Sequence, residues 1–236
     1  MIRIVLHRRP LHALVLVASA LLLAACGGSP GNSGPPALTS YPLLAGYKSR
    51  IGTGASDNFV ISGSCNGTAT LVTSASTAAT FEGLAGYSTQ QTASVNFTNC
   101  QPASATASGV GFYDTNFSPL GSFTPGVDYS KYQSLPTPLP SIVAAGDSGV
   151  IATLIVYADI TKTTVTGQRV FTYVIESDAA NGVIANLITK GYDASSQLLF
   201  TQQSRYRIAA NGTLEVLTID VQYSTTSTNH LLYTRT

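Results

Sequence analysis

From Gly149 to the C-terminus, apolar and polar residues alternate in short runs cut by turn signals. A period of two suits β-strands with one face buried. The run Val150-Ile151-Ala152-Thr153-Leu154-Ile155-Val156-Tyr157 is the most β-prone. A turn over 163–167 leads into a strand at 169–176. Asn181-Gly182 is a hairpin signal, followed by 183–190 and a further turn at 192–196. Leu198, Phe200, Tyr206 and Ile208 share a face, and a second pair, Asn211-Gly212, joins them to 213–223. There Leu217, Ile219, Val221 and Tyr223 alternate, and Leu231 with Tyr233 marks a last strand. Short turns between about six strands predict an antiparallel meander over 141–236. Val183, Ile184, Leu187 and Ile188 also suit one face of a helix stopped by Gly191, but the flanking turns favour a strand. No other segment beyond the N-terminus has a 3.6-residue period, so the expected class is all-β without a substantial helix.

The preceding part, 41–140, is expected to be a second β-rich portion packed with the meander. Phe59-Val60-Ile61 precedes Cys65, 68–73 alternates weakly, and Ala93, Val95 and Phe97 are spaced by two. Gly63 and Gly67 flank Cys65 and imply a turn or bulge there. Over 111–140 the character changes: Phe112, Tyr113, Phe117, Phe123, Tyr129 and Tyr132 sit among Gly and Pro, ending in Leu135-Pro136-Thr137-Pro138-Leu139-Pro140. Prolines are excluded from strand and helix interiors, so a long ordered loop with a stiff extended end is expected. Its six aromatic rings are the candidates for stacking on a sugar or peptide; folding down as a lid over the sheet is the plainer role.

The N-terminus has a different logic. Arg3, Arg8 and Arg9 precede an apolar run from Ala13 to Ala25 broken only by Ser19. As a helix these 13 residues reach about 20 Å, short of the roughly 30 Å hydrocarbon core of a bilayer. A basic flank before a short apolar stretch is the secretory signal pattern. Leu23-Ala24-Ala25-Cys26 then resembles the lipobox of bacterial lipoproteins. The resemblance implies cleavage after residue 25 and a diacylglyceryl thioether on Cys26, with acylation of the new amino group. At about 0.8 kcal/mol per buried CH₂, two or three acyl chains anchor permanently. Gly27 stands where an Asp would imply retention at the inner membrane, so the resemblance points to the outer membrane of a Gram-negative bacterium, on either face. Residues 26–40 form a Gly/Ser/Pro-rich tether that cannot bury a core. The rest of the chain resembles small β-rich envelope lipoproteins in composition alone, which transfers no functional residue.

Processing removes three of the 12 Lys and Arg, leaving 9 against 11 acidic residues. No basic stripe is present, which argues against nucleic-acid binding. With Cys26 taken by lipid, Cys65 and Cys100 form an even pair in an oxidising compartment and read as a disulfide. Two zinc thiolates would need further ligands, and with His7 and His12 in the signal only His230 remains. No metal or cofactor is implied. Gly146-Asp147-Ser148-Gly149 lacks the continuation and histidine order of the trypsin-like nucleophile loop and reads as a turn. Gly27-x-Ser29-x-Gly31 lies in the tether, not between strand and helix. Glu176 with Asp178, and Asp114 with Asn116, lack calcium-loop spacing and read as turn residues.

No catalytic constellation stands out. The first expectation is a non-enzymatic, membrane-tethered module binding an envelope protein or glycan. The alternative is a carrier or sensor of an apolar ligand in a half-open β-barrel. Oligomeric state is open.

Overall fold

A computed structural model describes residues 40–178, 182–224 and 230–236. The signal segment, Cys26, the tether up to residue 39 and Asn181 lie outside the described residues. A helix, α1 (Leu43–Thr53), precedes β1 (Ala55–Gly63), β2 (Gly67–Thr73), β3 (Thr77–Phe81) and β4 (Leu84–Phe97). Next come β5 (Ser104–Tyr113), β6 (Pro119–Thr124), β7 (Asp128–Tyr132), β8 (Ser148–Tyr157) and β9 (Val165–Asp178). The chain ends with β10 (Gly182–Asp193), β11 (Leu198–Ile208), β12 (Leu214–Tyr223) and β13 (His230–Arg235).

From β4 to β13 each strand pairs with the next, antiparallel throughout. β13 then pairs with β1, β1 with β2, and β2 returns to β4. Twelve strands therefore close into a barrel, and β3, paired with β4 over Leu84–Ser88, stands outside the ring. The all-β expectation holds, the six C-terminal strands are β8–β13, and the 183–190 segment is strand β10.

Three expectations are corrected. The meander is larger than six strands, because it runs on through β4–β7 and closes on itself. In β4 and β5 the contrast between faces is low: Ala93, Val95, Ala105 and Ala107 point inward, while Thr92, Ser94, Thr106 and Ser108 point outward. Secondly, α1 is a genuine helix. Leu43, Tyr47, Arg50 and Ile51 recur at helical spacing, but Gly46 and Gly52 interrupt it, at about 1 kcal/mol each against alanine. Packing supplies what propensity does not: Leu43 is wholly buried, and a Cβ on Gly46 would stand 2.0 Å from the Gly212 carbonyl in the β11–β12 turn. Thirdly, 111–140 is not a long loop. It contains the end of β5, all of β6 and all of β7, and Pro119 is the first residue of its strand, where a missing N–H is tolerated. The stiff extended end expected at 135–140 falls within the connector 133–147 between β7 and β8.

In β12 a register shift opposite Arg205 and Tyr206 turns Val216 into the core, so the expected alternation starting at Leu217 breaks there. Gly63 and Gly67 do bound the Cys65 turn, Gly63 with φ of 109°. Glu176 and Asp178 are not simple turn residues: they pair across the sheet with Arg205 and Arg207. Asp114 does serve a turn, its Oδ1 accepting the N–H groups of Asn116 and Ser118 at 2.8 Å.

The tip of the β3–β4 hairpin lies on the outer face of β5–β7. Glu82 there accepts from the Tyr129 hydroxyl at 2.5 Å and from Lys162 at 2.8 Å, with Lys131 at 3.4 Å. Bonds from Lys162 and then Tyr129, with both lysines' charges, bring its pKa from 4.5 to about 2. A depressed carboxylate pKa stabilises the fold above 4.5 and loses that stabilisation as pH falls toward 2. Glu82→Gln should therefore lower stability at pH 7, with the gap from wild type closing near pH 2 in urea melts. A pH-independent gap would refute the ion-pair account.

Candidate functional site

Eight-stranded barrels are just wide enough for side chains to fill, and wider ones leave space. Twelve strands here leave a cavity of about 340 Å³, within the range of small-ligand sites. A different core packs toward each of its ends. At one, α1 and the connector are drawn in: Leu43, Leu139 and Val143 pack against Ile151, Ile208 and Leu214. At the other, Phe59, Ile61, Val95, Phe97 and Leu231 gather around Cys65, which is bonded to Cys100.

The wall between them follows from strand parity. Successive side chains alternate across a strand, and the register carries one inward row around the ring. Phe171 pairs with Thr189, Thr189 with Gln202, Gln202 with Val221, and Val221 with Leu231. Phe59 faces Ala69, and Ala69 faces Val95. All of these except Thr189 and Gln202 are apolar, and all line the cavity. Small residues at Ala69 and Ala93 keep the space open.

Polar groups enter at two places. Arg169 on β9 is buried and bonds Asp128 and, at 3.3 Å, the Ser122 hydroxyl, which in turn lies 2.9 Å from Ser130 Oγ. Nearer α1, Arg50 bonds Asp57 and lies 5.3 Å over the ring of Tyr206. Tyr47, Tyr113 and Gln91 line the same region, with Gln91 Nε2 3.4 Å from the Tyr113 hydroxyl. Burial pushes the phenols of Tyr47, Tyr113 and Tyr206 upward, and mutual charge repulsion adds to the rise for Tyr47 and Tyr113. The chemistry on offer is recognition by hydrogen bonds within an apolar chamber.

The six aromatics of 111–140 are dispersed. Phe112, Phe123 and Tyr129 lie on the outer wall, where Phe81 stacks on Phe112 at 4.3 Å and meets Tyr129 at 5.7 Å. Phe117 stacks on Tyr87 at 4.5 Å. Tyr132 packs with two apolar clusters, and only Tyr113 and Phe117 line the cavity. The rings thus stack largely on one another and on the β3–β4 hairpin. Cys65 and Cys100 are joined, as their pairing predicts. His230 sits on the outer wall with Nε2 3.0 Å from Asp220.

Sequence reading missed Tyr47, Arg50 and Arg169. A signal for the last existed: a cation amid the alternating residues of β9 shares the parity of Phe171 and Tyr173, the inward face. The outer wall over β1, β2, β4 and β5 is largely polar, with cross-strand pairs such as Thr92–Ser108 at 3.0 Å and Thr70–Asn58 at 2.9 Å, and with Val60 and Val72 exposed among them. No protein-family model, curated protein or solved structure matches the chain.

Proposed function

We propose that this chain is a non-enzymatic carrier or sensor of an apolar ligand, held in the barrel and kept at a bacterial membrane through lipid on Cys26. The single observation that carries the reading is the cavity of about 340 Å³ inside a closed barrel, walled mainly by apolar side chains. Packed interiors leave few voids larger than a water molecule, and an apolar void of this size lowers stability unless something fills it. Retaining it is therefore best explained by use. The largely polar outer wall over β1, β2, β4 and β5 suits a barrel standing in water on its tether, with the apolar lining turned inward. The rival reading, recognition of an envelope protein or glycan by the aromatics of 111–140, has less support, since Phe112 and Tyr129 are engaged with Phe81, and Phe123 with Tyr129.

Residues 27–236 retain every described element. Purified gently after export, they are expected to carry a small-molecule or lipid adduct in native mass spectrometry. Ala93→Trp, which places an indole in the cavity, should remove the adduct and leave the far-UV circular dichroism unchanged. A clean unliganded mass, with no uptake of N-phenyl-1-naphthylamine, would sink the carrier reading.

A further inference from the structure

The head group of a ligand is constrained by the polar side chains around the cavity. Two charged residues line it, Arg50 and Arg169, and each already faces an aspartate, Asp57 and Asp128. Arg169 is also bonded to Ser122, Arg50 to the Tyr206 side chain, and Asp57 is shared with Arg235. An anionic head would enter without a free counter-cation, and a cationic head would find both aspartates engaged; either is penalised by burial.

What remains is uncharged. Tyr47 from α1, Gln91 from β4, Tyr113 from β5 and Tyr206 from β11 line one cavity and bring phenols and an amide together from four elements. Tyr47 and Tyr206 are enclosed by protein yet keep part of their surface open, because that surface faces the cavity. Among the described residues none hydrogen-bonds the Tyr47 hydroxyl. Burial and mutual repulsion hold these phenols protonated, so they stay donors.

We propose, resting on the carrier reading, that the cavity takes a neutral amphiphile. Its apolar body lies among Phe59, Val95, Ile219 and Leu231, and one uncharged hydroxyl or carbonyl head sits among Tyr47, Gln91, Tyr113 and Tyr206. A fatty acid of the same length is the excluded neighbour.

The test is displacement of N-phenyl-1-naphthylamine from residues 27–236 at pH 8 by dodecan-1-ol and by dodecanoate, which differ in the charge of the head. The alcohol should displace the probe at a concentration at least about tenfold lower. Tyr47→Phe and Tyr206→Phe should each weaken the alcohol about fivefold, the worth of one neutral hydrogen bond. The probe's own affinity should stay unchanged in both, and the melting midpoint in Tyr47→Phe; Tyr206→Phe also gives up the bond with Arg50, so its midpoint is not the control. Dodecanoate binding as well as the alcohol overturns this proposal and leaves the carrier reading standing. So does undiminished alcohol binding by both variants. Failure of the probe and both lipids to bind overturns the carrier reading itself.

Discussion

Asp128→Ala is expected to destabilise the barrel by roughly 3–5 kcal/mol, because it strands a buried guanidinium. Asp128 and Arg169 are each 5% exposed. Arg169 belongs to β9 and Asp128 to β7, two strands apart across β8, so their pair ties the ring together inside the wall. Without the carboxylate, the Ser122 hydroxyl is the partner left to the guanidinium among the described residues, and a hydroxyl does not neutralise it. Domains of this kind have about 5–15 kcal/mol in total, so the loss is a large share. The double replacement Asp128→Leu with Arg169→Met removes both charges and should recover most of it. Asp128 Oδ1 has no partner among the described residues, so the native pair is itself imperfectly satisfied and an apolar pair has little to make good. With no tryptophan in the chain, urea unfolding followed by far-UV circular dichroism is the measurement. A single-variant loss below about 1 kcal/mol, in the range of an exposed pair, would show that water reaches the site.

How legible this fold was depended on the contrast between strand faces. In β11 and β12 large apolar residues alternate with Gln, Arg, Thr and Asp, and the strands read directly from the chain. Over 92–95 of β4 and 104–109 of β5 the inward residues are Ala, Val and Gly and the outward ones Ser and Thr, so there the same period of two is muted. α1 was hidden for the opposite reason. Its spacing is helical, but two glycines and the lack of a side-chain cap lower its propensity, and it exists because the barrel end needs a plug. Pro and Gly in 111–140 suggested a loop, whereas Pro119 opens a strand and Gly121 is where the Phe81 ring approaches.

Closure was the feature that local reading could not reach. It depends on β1 meeting β13 across nearly the whole described chain, and on one long strand, β4, serving β3 with its first part and β2 with its second. The cavity follows from strand number, which no local pattern reports. Hence its lining residues were individually visible as apolar or as lone tyrosines, yet not as members of one chamber. The aromatics of 111–140 are dense in sequence but dispersed in space, while the chamber gathers Tyr47, Tyr113, Tyr206 and Tyr233 from widely separated positions.

The same low contrast explains why the disulfide should matter. Cys65 and Cys100 close a loop of 35 residues, and constraining the unfolded chain to that extent is worth roughly 3–4 kcal/mol in the loop-entropy account. The strands inside the loop bury little for their length, with Ala69 and Ala93 on their inner faces. Their pairing is helped at the barrel rim by Asn66, whose N–H donates to Asn99 Oδ1 at 2.6 Å and whose carbonyl accepts from the Thr98 N–H at 2.9 Å. Those bonds hold the two turns together in the native state but place no constraint on the unfolded one. Cys65→Ala with Cys100→Ala should therefore lower the melting midpoint on the order of 10 °C for a domain of this size, and dithiothreitol should lower wild type by a similar amount. Because Cys65 is 2% exposed within the rim core, part of the variant's loss is cavity formation. Reduction of wild type keeps both sulfurs in place and isolates the cross-link. If reduction leaves the midpoint unchanged while the double variant melts early, the sulfurs act through packing, and the loop-entropy account is wrong.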